Sequence, residues 1–315
     1  MGGLLSELGK KLAERWLSLL VLPGVLYLAV AAAARTLGWR HALDIGLLTR
    51  QITAHAKTPA ATSTGGQVML LATIVIAAAA AGVAAQAAGA FLERLILAAR
   101  WLTWPAPAPA LIGWWVRHRR QRWDEADRIH HAQYQLALAP DPADRPDPAI
   151  RHTAAGIRAR IAVERPERPT WSGDRIQAAA LRLDRDHHLD LATCWPYLEL
   201  TLPDTVRTQI TDARTALSRA TTLAGWAMLY APLTWWWWPA IPLTTIIAAS
   251  ARHRIRTCAD TYARLIETAT RLHTPALATQ LGIDHTGPLT PELGAALTRH
   301  LRTQLPPPTT PTDTN

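Results

Sequence analysis

The residues best suited to chemistry in this chain are Asp184, Asp186, His187, His188 and Asp190, five titratable groups within seven positions. Asp184 and His188, at i, i+4 spacing, share a helix face, an arrangement in which a carboxylate and an imidazole hold a divalent metal. No second ligand pair of recognisable spacing stands out elsewhere, and a metal-binding histidine needs second-shell support. The expectation is a solvated helix end with no metal and no cofactor. His130-His131 reads as surface in the same way. The chain has no phosphate-cradling glycine loop, no Gly-x-Ser-x-Gly elbow and no His-Glu-x-x-His, so no residue is assigned a catalytic role.

Cys194 and Cys258 are the two cysteines, too few for a disulfide framework or a thiolate zinc site. The net charge of +9 raises the question of nucleic acid. Its distribution answers it: from Arg117 to Ser218 there are 16 Arg against 15 Asp plus Glu, so the excess lies at the edges of the apolar runs. Arginine there retains helix ends on the cytosolic side. The run Arg117-His118-Arg119-Arg120-Gln121-Arg122-Trp123 follows an interfacial segment and is read as facing anionic lipid. Nucleic acid is not favoured as a partner. Lysine occurs only at 10, 11 and 57, and Phe91 is the single phenylalanine against 14 Trp, a usage expected from a GC-rich genome.

Long uncharged runs are the elements that must position everything else. Trp16–Ala34 is 19 residues without a charge, enough to cross ~30 Å of hydrocarbon at 1.5 Å per residue. It exceeds a signal-peptide core, so a span over 16–35 is preferred to a cleaved leader. Leu4, Leu5, Leu8 and Leu12 ahead of it predict an interfacial amphipathic helix over 1–15; the Met1-Gly2 myristoylation pattern is read as chance. Gln67–Leu92 is a second span, its small residues permitting close helix approach and Gln86 offering an interhelical hydrogen bond. Ala220–Ala251 holds 32 uncharged residues centred on Trp235-Trp236-Trp237-Trp238-Pro239-Ala240-Ile241-Pro242. Tryptophan and proline there predict a turn at the membrane interface between spans 220–236 and 237–252. Arg207, Arg214 and Arg219 before it and Arg252, Arg254 and Arg256 after it keep both ends in the cytosol. Trp16 and Trp39 are further interface anchors. Residues 36–66 become an extracytoplasmic loop, and 93–116, with three prolines and four tryptophans, an interfacial segment.

The remainder predicts a cytosolic helical domain over 117–219, cytosolic helices over 253–304 and a disordered tail over 305–315. Within it, helices are expected over 117–137 and near 149–163, then from Ser172-Gly173-Asp174 to about Asp186. Pro203-Asp204 and Thr290-Pro291-Glu292 open two more. Val206, Ile210, Ala213 and Leu217 form one apolar stripe; Ile255, Cys258, Tyr262, Leu265, Ala269 and Leu272 form a second, coiled-coil-like one. The two helices are expected to pack on each other or on a partner, with Ile255, Tyr262, Leu265 and Leu272 as the docking stripe.

Pro169-Thr170, Gly173-Asp174, Leu189-Asp190, Trp195-Pro196-Tyr197-Leu198, the Trp235–Pro242 turn and the Tyr262 helix resemble, over about 169–301, a broad group of uncharacterised prokaryotic membrane proteins. His187-His188 stands where that group has Tyr-Gly. The resemblance implies a topology and carries no activity. The chain is therefore expected to be an all-α integral membrane protein. It has four transmembrane helices, a helical domain between the second and third, and both termini on the cytosolic side of the plasma membrane. A non-enzymatic signalling or scaffold subunit is the preferred function; a homo-oligomeric pore or membrane-disrupting effector is the alternative. Expected partners are the lipid bilayer and a protein, or a second copy, held through the cytosolic helices.

Overall fold

A computed structural model describes residues 21–56, 63–97, 108–138 and 147–303. The 1–15 amphipathic helix, Trp16 and the 305–315 tail lie outside the described residues, as do the start of the first expected span and residues 98–107 of the interfacial segment. The described residues form ten α-helices and no strand. These are α1 (Leu22–Leu37), α2 (Ile45–Ala56), α3 (Thr64–Ile96), α4 (Ala108–Ala137) and α5 (Pro148–Ile161), followed by α6 (Trp171–His187), α7 (Leu191–Thr201), α8 (Asp204–Tyr230), α9 (Ala240–Gln280) and α10 (Pro291–Thr303). The chain divides into two compact units, one of Met1–Leu95 with Ser218–Ile255, the other of Ile96–Leu217 with Arg256–Asn315.

In the first unit, α3 is 33 residues, roughly 50 Å at 1.5 Å per residue. It alone among the described residues is long and apolar enough to cross a membrane; α1 is a shorter apolar helix. Only its small residues are buried, Ala78, Gly82, Ala85 and Gly89 at four-, three- and four-residue steps. Its neighbour α8 approaches backbone to backbone there at two points. A Cβ on Gly225 of α8 would lie 2.2 Å from the carbonyl oxygen of Ala85, and one on Gly89 would lie 2.6 Å from the Cα of Thr222. Such contact gains dispersion energy where no large side chain intervenes. Gln86, expected to bond across this interface, is exposed beside it instead, because the helix turns its hydrogen atoms of Gly and Ala, not its amide, toward the neighbour.

The Trp/Pro turn forms, with boundaries moved toward the N-terminus. α8 ends at Tyr230, a 3₁₀ turn runs Ala231–Trp235, and α9 restarts at Ala240. Pro232 lacks the N–H that would continue α8, while Pro242 sits in the first turn of α9, where a missing donor costs nothing. The apolar arms are thus the end of α8 and the start of α9, each part of a longer helix. Tyr230, Leu233, Ala34 and Ala240 form a small core with Tyr27, Trp226 and Trp237 against it. The Tyr27 and Tyr230 rings meet edge to face with centroids 5.2 Å apart. Residues 36–66, expected as a loop, contain α2, opened by the Asp44 carboxylate, which accepts the Leu47 N–H at 2.9 Å.

The second unit is a helical domain in which Thr170 caps α6, two residues ahead of the expected Ser172-Gly173-Asp174, while Thr290 caps α10 where the sequence suggests and Asp190 caps α7. Thr170 accepts the Gly173 N–H at 3.1 Å, Asp190 the Ala192 N–H at 3.1 Å, and Thr290 the Leu293 N–H at 3.3 Å. Its core joins Leu189, Cys194, Leu198, Ile210, Ala269, Leu277, Leu293 and Leu297. α10 docks through Gly294, where a Cβ would lie 1.9 Å from the His187 carbonyl oxygen.

Candidate functional site

The basic run at the head of α4 is largely structural. Arg119 is buried and donates from Nη1 to the Arg168 carbonyl (2.7 Å) and from Nη2 to that of Ile161 (2.8 Å). Its Nη1 also lies 2.7 Å from Asp174 Oδ2. Asp174 Oδ1 in turn accepts the N–H groups of Glu167 (3.0 Å) and Arg168 (2.7 Å). Arg120 donates to the Pro166 carbonyl at 2.7 Å, Trp123 to that of Ala162 at 3.0 Å and Trp115 to that of Pro169 at 3.2 Å. The proline-broken strap 162–170 cannot satisfy its own carbonyls in a helix or sheet, so α4 supplies the donors. Arg117 and Arg122 remain exposed. Sequence reading placed the whole run at the bilayer; the signal it lacked was the set of unpaired carbonyls nearly fifty residues away.

A second polar cluster joins the 164 region, α6 and α9. Arg175, almost fully buried, donates to Asp260 at 2.6 Å. Arg182 and Arg185 pair with Glu164, and Arg271 with Glu267 and Asp186. Burial pushes the Asp260 carboxyl up, but hydrogen bonds from Arg175 and Arg264 outweigh it and hold the group below its ordinary value. Arg175, Arg182, Arg185, Arg264 and Arg271 share Glu164, Asp186, Asp260 and Glu267, so the cluster is an ion-pair network.

Asp184 and His188 are both exposed and line an open groove with Ala295, Thr298, Arg299 and Arg302. His188 closes α6 in the left-handed region, at φ 50°, with its N–H on the Asp184 carbonyl at 2.8 Å and the Leu189 N–H on that of Leu183. This is a glycine-type helix stop made by a histidine. Arg299 and Arg302 beside the pair work against a bound cation. Asp190 has a structural place: it caps α7, and its Oδ2 takes Arg302 at 2.8 Å. Burial raises the Asp190 carboxyl, but Arg302 and Thr193 overcome that and hold it below its ordinary value. Burial pushes the Cys194 thiol up to about 11, so it is an inert core group.

On the docking stripe, Ile255 is buried, and Tyr262 and Leu265 pack against the domain's own core. Leu272 is 68% exposed. The first apolar stripe answers it from α8, through Val206 and Ile210, so the two helices meet within one chain. Of the expected interface tryptophans, Trp39, Trp235, Trp236 and Trp238 are exposed, Trp235 at 85%. Trp237 differs: its indole N–H donates to the Ala42 carbonyl at 2.9 Å and pins the 38–44 turn.

The grouping with metal-ligand spacing that the structure brings out is on α4. Asp127, His130 and His131 each place a ligand atom within 4.8 Å of the others. His130 and His131 were read as surface because Asp127, three residues upstream, was not read with them. Compared with known proteins, the chain matches no family model, no curated relative and no solved structure.

Proposed function

We propose that the chain is a multi-pass protein of the plasma membrane, a non-enzymatic scaffold or signalling subunit. In this reading the first unit lies in the bilayer and the second in the cytosol, where its helices engage a partner protein. The observation that carries it is α3, whose large side chains face outward while its small ones pack inward. Val68, Met69, Leu71, Ile76 and Val83 are all more than half exposed, against buried Ala78, Gly82, Ala85 and Gly89. A helix in water buries its large apolar groups; one in hydrocarbon has no such drive and packs through small residues. The exposed Trp235, Trp236 and Trp238 suit a turn at headgroup level. Four spans, with both termini in the cytosol, follow if α1 and the arms of α8 and α9 join α3. Short arms are accommodated by local thinning of the bilayer and by snorkelling of Arg219 and Arg252.

The scaffold part rests on apolar side chains that the second unit leaves uncovered, Leu272 on α9 with Ile129 and Ile157 on α4 and α5. Leu265 belongs to the core, so Leu272→Asp is the informative variant. Gentle detergent extraction followed by mass determination tests the reading. A stoichiometric second protein, lost with Leu272→Asp while membrane insertion persists, is the expected result. A pure homo-oligomer contradicts it and favours the second reading, a self-assembled pore. That reading is motivated by Gln86, an amide left exposed on an otherwise apolar face, which a second copy would satisfy by a reciprocal hydrogen bond.

A further inference from the structure

We propose that Asp127, His130 and His131 form a binding site for a divalent transition metal of the zinc class, with water completing its coordination. One oxygen and two imidazole nitrogens already lie within 4.8 Å of one another on successive turns of α4. At 100° per residue, His130 falls roughly 60° to one side of Asp127 around the helix axis and His131 roughly 40° to the other. Helical side chains lean toward the N-terminus, so both imidazoles reach back over the carboxylate between them. Zinc bonds of about 2.0–2.2 Å in a tetrahedron need ligand atoms about 3.3 Å apart. His131, exposed and edge-on to the His130 ring, is the side chain placed to close that distance by rotation.

Two further observations point to a ligand. The Nδ1 of His130 is shielded from solvent and has no hydrogen-bond partner, a state a bound cation would relieve. Asp127 Oδ1 accepts from Arg158 Nη1 at 2.8 Å, which orients the carboxylate and leaves its other oxygen for a metal, against the repulsion of that one guanidinium. Arg158 in turn lies over the Trp123 ring, 5.9 Å from its centroid. Oxygen and imidazole donors without thiolate suit Zn²⁺, and also Co²⁺ or Ni²⁺. The site belongs wholly to the second unit and does not depend on the membrane reading.

The test is calorimetric titration of the full chain, purified in detergent without a histidine tag and stripped by chelator, with Zn²⁺. Co²⁺ visible absorption reports the geometry. One Zn²⁺ per chain is expected, with tetrahedral Co²⁺ bands. His131→Ala, at an exposed position, weakens binding at least about tenfold with unchanged helical circular dichroism. The double variant Asp184→Ala, His188→Ala binds as the parent does. Absence of saturable binding overturns the proposal, and so does binding that His131→Ala leaves unchanged.

Discussion

Removing the Arg119 side chain leaves Asp174 buried and without its cation. Arg119→Met is therefore expected to destabilise the second unit by about 3–5 kcal/mol, measured by chemical denaturation, since the loss of one partner of a buried pair strands the other. Two half-buried carboxylates predict an acid limb. Asp190 and Asp260 both titrate below their ordinary value in the folded chain. Their contribution is complete above the unfolded value of about 3.9 and is lost as pH falls through the folded values. Melting temperature should fall below about pH 4, and Asp190→Asn with Asp260→Asn should flatten that fall. A wild-type profile retained by the double variant would place the acid sensitivity elsewhere. His188→Gly makes the opposite kind of prediction. At φ 50° glycine is unstrained, so the variant should be as stable or more stable by up to about 1 kcal/mol.

At the scale of elements, the close contact of α10 gives the sharpest expectation. Gly294→Ala puts a methyl group into the His187 carbonyl and should loosen α10, costing about 1–3 kcal/mol, with hydrogen exchange rising across 291–303 first. Protection that stays high in this variant would mean the contact is looser than the structure has it. Much of this level is legible in the sequence, because local chemistry decides it. Pro203-Asp204, Thr290-Pro291 and the Thr170–Asp174 stretch each start a helix near the expected residue. The Trp/Pro run also turns the chain, though Pro232 ends α8 earlier than the tryptophans suggest. What escapes the sequence is long-range pairing. Nothing near Arg119 announces the strap carbonyls, and the apolar stripe of α9, which allowed pairing with α8, does not say that α10 also packs on that core. The same limit hid the α4 metal grouping, where a lone Asp-x-x-His-His is unremarkable until the shielded nitrogen of His130 is seen.

For the whole molecule, the central claim is that one unit lies in the membrane with the 36–66 segment outside and the α9 extension inside. The native thiols are poor reporters, since Cys194 is buried and its thiol is pushed up to about 11. Single cysteines placed at exposed Thr49 and at exposed Thr261 of α9, in a chain lacking Cys194 and Cys258, avoid that problem. The measurement is labelling with a membrane-impermeant maleimide in intact and permeabilised cells. Thr49→Cys labelled in intact cells, with Thr261→Cys labelled only after permeabilisation, is the predicted result. Thr261→Cys labelled in intact cells, or both positions behaving alike, would contradict the account.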